Sequence, residues 1–141
     1  MQNLPTALLH HTTRTGSHYD WLLADPRDPN GLLWTARTTV DSKTWAMRGS
    51  WALEPIAAHR RLYLDYQGAI SGGRGSVMRV DRGWFTPKLW TGSRIVVALH
   101  FTHCAGVVEM RRASEKCWTA RMISCAEAVM ATRDCRAEED G

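Results

Sequence analysis

The sequence predicts a mainly β protein, a compact closed β-barrel with short flanking helices and loops. Three features carry that expectation: short apolar or alternating runs, Gly, Pro and Asp punctuation between them, and a recurrence of about ten residues from run to run. Strands this short and regular close into a barrel or pack as a sandwich. The composition agrees, because 44% hydrophobic and 23% charged residues exclude intrinsic disorder, a collagen-like repeat and a coiled coil. A chain of 141 residues suits one domain with a core large enough to fold without staples.

The elements follow in order. Pro5 to Leu9 is the expected first strand and Tyr19 to Leu23 the second. The second ends at Ala24 to Gly31, ADPRDPNG, whose two prolines and Asn-Gly pair forbid continuation. Leu32 to Arg37 resumes the pattern. Thr38 to Ala58 is the least readable stretch, diluted by Thr and Ser, with a loop expected at Glu54-Pro55. Arg61 to Tyr66, Ser76 to Asp81, Trp84 to Leu89, Arg94 to Phe101, Val107 to Arg112 and Cys117 to Ile123 complete the strands. Residues 1–125 therefore form one barrel domain, and 126–141 form a charged tail with the composition of a short helix or a disordered end. Most of the seven tryptophans are expected in the core or at the barrel rim.

Charge is uneven. Lys and Arg number 18 against 14 acids, a net +4, but the tail holds Glu127, Asp134, Glu138, Glu139 and Asp140 against Arg133 and Arg136. The body is therefore the more basic part, which points to an anionic partner. No run approaches the roughly 20 apolar residues of a membrane span, and MQNLPTALLHH lacks the basic start and apolar stretch of a secretory signal. A cytoplasmic location is expected. Cys104, Cys117, Cys125 and Cys135 contain no CxxC pair, so reduced thiols are expected.

The densest polar constellation is His10, His11, His18, Tyr19 and Asp20. A strand period of two puts His18 and Asp20 on one face and Tyr19 on the other. His11, at a strand end, would complete an imidazole, imidazole, carboxylate set suited to Zn, Mn or Fe, while His10 faces oppositely. On spacing alone, histidines that merely cap strand ends remain the alternative. In His59 to Tyr66, strand alternation would set His59, Arg61 and Tyr63 on one side, a plausible phosphate-binding face or else a solvated one. Ser71 to Ser76, SGGRGS, lacks the Lys and Ser/Thr of a P-loop and is expected to be a turn or bulge.

Three segments, HTTRTGSHYDWLLAD, HRRLYLDYQGAISGGRGSVMRVDRGWF and VALHFTHCAGVVEMRR, together resemble the 3'-phosphoesterase domain of bacterial DNA ligase D in its short stand-alone form. Motif order and spacing carry the resemblance over roughly residues 6 to 122. It implies a barrel whose active site trims 3' ends with Mn, removing a terminal ribonucleoside or a 3'-phosphate during DNA repair, beside a separate ligase or polymerase. It implies His11, His18 and Asp20 as metal ligands, with Mn expected and Zn the alternative. His59 would contact the scissile phosphate or move a proton, supported by Tyr63. The chain departs from the family at Leu22 and Ala24, where Arg and Glu are frequent. Arg14 or Arg61 would then supply the missing guanidinium, and Arg37 is nearest to the basic residue that follows the family's central Trp. The rival expectation is a module of the same fold with a degraded site, binding nucleic-acid ends or protein.

Overall fold

Extended segments leave their backbone N–H and C=O groups to be satisfied by neighbours, and here the pairing runs until it meets itself. The computed structural model describes residues 2–125. The strands are β1 (Leu4–Thr13), β2 (Gly16–Ala24), β3 (Leu33–Thr38), β4 (Ser50–His59), β5 (Gly68–Ala69), β6 (Ser76–Trp90), β7 (Arg94–Phe101), β8 (Ala105–Ser114) and β9 (Cys117–Cys125). The order β1-β2-β3-β4-β9-β8-β7-β6, with β6 pairing back onto β1, closes an antiparallel barrel of eight strands, and β5 adds to β6 outside the ring. Closure leaves no long open edge among these strands. The expected barrel is thus the observed one; the tail at 126–141 lies outside the described residues. Among the described residues no helix is long and apolar enough to cross a membrane.

Aromatic side chains identify the inside. Trp34 on β3 meets Trp90 on β6 at 6.2 Å and Trp118 on β9 at 5.7 Å, and Trp21 on β2 meets Phe101 on β7 at 6.4 Å. None of these strands are neighbours, so the rings must meet across the lumen. Trp45, on the one-turn helix α1 (Trp45–Arg48), joins the cluster by stacking on Trp51 at 4.4 Å. Gly49, at φ +80°, ends that helix, and its N–H closes on the Trp45 carbonyl. Since Trp21 points inward, the period of two sends His18, Asp20 and Leu22 to the outer face of β2. That assignment places the chemistry outside the barrel.

Three expected elements differ. Arg61 to Tyr66 is not a strand: Arg61–Leu64 is a 3-10 helix, because Leu64 is buried and the N–H groups of Tyr63 and Asp65 find carbonyls three residues back. Glu54-Pro55 is not a loop but lies within β4, where Pro55 sits opposite Ala36 and Glu54 opposite Arg37. Ser76 to Asp81 and Trp84 to Leu89 are one strand, β6. Gly83 permits its passage, since a Cβ there would stand 1.8 Å from the His100 carbonyl oxygen.

Two buried carboxylates bind the fold together. Asp81 accepts from Ser42 Oγ at 2.8 Å, from the Thr102 N–H at 2.8 Å, and from the His103 and Arg82 N–H groups. It ties β6 to the β7–β8 turn and to the 3-10 helix Ser42–Thr44. Glu109, 2% exposed, is ringed by Arg121 at 3.0 Å, Arg94 at 2.7 Å and Arg111 at 3.3 Å. Hydrogen bonds from Arg121 and Arg94, with help from Arg111, outweigh burial and hold this carboxyl at about 2 instead of 4.5. A depressed folded pKa contributes fully above the unfolded value and is lost as pH falls through the folded one. Melting temperature should therefore fall on acidification from pH 4.5 toward about 2. Glu109→Gln should lower it at neutral pH and flatten that acid limb in thermal scans; an unchanged limb would contradict the assignment.

Candidate metal centre

The site begins with a two-residue turn. Arg14 and Thr15 connect β1 to β2 so tightly that Thr13 pairs with Gly16 and His11 falls directly opposite His18. Asp20 lies two residues beyond His18 on the same outer face, opposite Arg37 on β3. His59 arrives as the last residue of β4. Three strands therefore deliver His11, His18, Asp20 and His59, and none of the four depends on a long loop.

The donor atoms crowd together. His11 Nδ1 stands 3.2 Å from His18 Nε2, His18 Nε2 stands 3.2 Å from Asp20 Oδ1, and His11 Nδ1 stands 3.6 Å from Asp20 Oδ2. Donor atoms bound at ~2.1 Å to one ion stand roughly 3.0 Å apart across a right angle and roughly 3.4 Å apart across a tetrahedral one. The observed separations fall at that scale. Asp20 is 1% exposed, and its Oδ1 accepts no hydrogen bond although the His18 nitrogen stands 3.2 Å away. A buried carboxylate oxygen without a hydrogen bond is costly unless a cation meets it. His11, His18 and Asp20 could thus hold a metal ion, and imidazole with carboxylate suits Mn, Fe or Zn.

Protonation favours the same use. Burial pushes the His18 imidazole below its usual pKa; Asp20 opposes this, while Arg37 and the neighbouring histidines reinforce it. His18 is therefore biased toward the neutral form that ligates. His59 is moved the other way. Burial alone would lower it, but the Asp20 carboxylate and the Ala57 carbonyl prevail and raise it. Its Nε2 lies 3.7 Å from Asp20 Oδ2, an ion-pair distance rather than a hydrogen bond, and its Nδ1 donates to the Ala57 carbonyl at 3.0 Å. The Tyr63 ring meets His59 edge-on, with centroids 5.6 Å apart.

Beside the cluster opens a pocket of about 460 Å³ lined by His11, Asp20, Arg37, His59 and Tyr63, with Ile56, Ile70 and Val77 as apolar wall. Arg60 and Arg74 also line it. Of the three expected phosphate-binding arginines, Arg37 reaches the pocket. Arg14 sits exposed in the β1–β2 turn, and Arg61 donates to the Pro29 carbonyl at 2.6 Å; neither lines the pocket. His59 and Tyr63 do come together, but across a 3-10 turn rather than along one strand. His10 points away from the cluster, its ring 4.9 Å from Tyr19, as the period of two requires. From sequence, Arg60 and Arg74 count among the basic residues close to the site but not among the expected phosphate-binding ones. Arg60 was adjacent to His59 all along, and Arg74 lay inside the glycine-rich turn.

No known family model matches the chain, and no curated protein matches it either.

Two buried aspartates now make opposite predictions. Asp20→Ala should weaken metal binding by more than ~100-fold, since even supporting residues are worth 10–100-fold, while leaving the metal-free melting temperature nearly unchanged. Asp81→Ala, which strands several donors, should cost on the order of 3 kcal/mol of stability yet leave metal affinity intact. Metal titration calorimetry and thermal scans on both variants check this; the reverse pattern would refute the assignment.

Proposed function

We propose that this chain is a metal-dependent phosphoesterase acting on 3' ends of nucleic acid, as its resemblance to the ligase D phosphoesterase domain implies. The observation that carries the reading is the His11, His18, Asp20 cluster opening onto a pocket that three arginines line. Metal donors beside arginines suit an anionic ester of phosphate better than a neutral substrate. Manganese is the expected ion, with zinc the alternative.

His11, His18 and Asp20 would hold the ion, whose contribution when bound is to polarise a phosphoryl oxygen and acidify water. Arg37, Arg60 and Arg74 face the pocket and supply the charge-assisted hydrogen bonds that an Arg at position 22 would otherwise make; Leu22 is fully buried. His59, biased toward its cation, faces the same space and can give its Nε2 proton to the ester oxygen that leaves as water adds to phosphorus. Tyr63 keeps the imidazole edge-on. Arg60 lies over the Tyr63 ring at 5.9 Å, which fixes both. Ile56, Ile70 and Val77 present an apolar wall to the sugar or base.

Leu22 also favours a second reading, a non-catalytic module of the same fold that binds nucleic-acid ends. Incubation with Mn and primers ending in a 3'-phosphate or a 3'-ribonucleotide separates the two. The proposal expects release of phosphate or of the terminal nucleoside, with His59→Ala slowing turnover by about 10²–10⁴-fold. Salt-sensitive binding without any turnover would establish the module instead.

A further inference from the structure

The glycine-rich turn at Ser71 to Ser76 makes no phosphate cradle, yet it touches the metal cluster directly. His11 Nε2 lies 2.8 Å from the backbone carbonyl oxygen of Arg74. A carbonyl can only accept, so Nε2 must carry the proton, and in the neutral ring Nδ1 is left with its lone pair. Nδ1 is the atom that faces His18 and Asp20. We infer that the Arg74 carbonyl, held in place by Gly75, is the positioning element that fixes the tautomer and aim of His11 as a metal ligand.

Gly75 is what brings that carbonyl in. Its φ is +87°, and a Cβ on it would stand 2.0 Å from the Thr12 carbonyl oxygen and 3.0 Å from the Thr12 carbonyl carbon. These are backbone atoms of the strand that carries His11, and they cannot swing aside as a flexible side chain could. The turn is braced from within: Gly75 O accepts from the Ile70 N–H at 2.7 Å, and Arg74 Nε donates to the Ser71 carbonyl at 2.8 Å. Pairing of Thr12 with Ser76 and of His11 with Val77 then sets the turn against the ligand strand. A histidine ligand normally donates its second nitrogen to an oxygen that orients the ring, and such partners are worth 10–100-fold in affinity. One residue therefore serves the site twice, with its carbonyl on His11 and a place in the lining of the pocket.

This inference rests on the metal-site reading but not on the identity of the ester. Imidazole nitrogen shifts from NMR on the metal-free wild-type chain should show His11 as the Nε2–H tautomer; the Nδ1–H tautomer would overturn the proposal, with no variant needed. Gly75→Ala should weaken Mn or Zn binding about 10–100-fold and mix the His11 tautomers. Wild-type affinity in a folded Gly75→Ala chain would overturn the proposal while leaving the metal site standing. A wild-type chain that bound no metal would remove the metal reading, and the tautomer would still decide whether the turn orients His11.

Discussion

A carboxylate that is 1% exposed, with one oxygen accepting no hydrogen bond, persists in a folded chain only if positive charge meets it. Asp20 is in that position. His59, raised toward its cation, stands at 3.7 Å, Arg37 is its partner across the β2–β3 ladder, and the His11 and His18 nitrogens within 3.6 Å are placed to share a cation with it. Ring closure provides the setting. The lumen takes the aromatic rings, so the outer face of β1 to β4 is left to carry polar groups, and the segment after β4 folds over them to wall the pocket.

The three buried carboxylates among the described residues show what distinguishes a site from a strut. Asp81 collects short hydrogen bonds from a hydroxyl and backbone N–H groups, and Glu109 is held by three guanidiniums that saturate it. Neither has capacity left for a ligand. Asp20 is surrounded by imidazoles whose nitrogens are themselves donors to metals, and His11 is already committed through Nε2 to the Arg74 carbonyl. The cluster holds more lone pairs than protons. A cation completes it in a way that a further hydrogen bond could not.

What could be read in the sequence was local and periodic. The period of two in HYD separated His18 and Asp20 from Tyr19, and it separated His11 from His10, because a strand enforces that alternation wherever it lies. The run of short strands likewise implied a barrel. The 3-10 turn at Arg61–Leu64 escaped because RLYLDY alternates like a strand, and only the burial of Leu64 in a short connection reveals otherwise. β4 was hidden by Pro55, which costs a donor but is tolerated beside the register shift in the β3–β4 ladder. Arg60 and Arg74 were invisible as pocket residues because their approach depends on how the 60–75 segment folds back, a long-range fact that spacing does not encode. The glycines of the turn marked a tight backbone; which strand that backbone approached appeared only in the structure.

The central claim is that His11, His18 and Asp20 form one metal centre, and electron–nuclear double resonance on the Mn-loaded chain tests it most directly. The account predicts one bound ion per chain with coupling to nitrogen from two imidazoles, the coupling from one of them vanishing in His18→Ala. A spectrum of hexaaqua manganese without nitrogen coupling, at concentrations where the chain is folded, would contradict it.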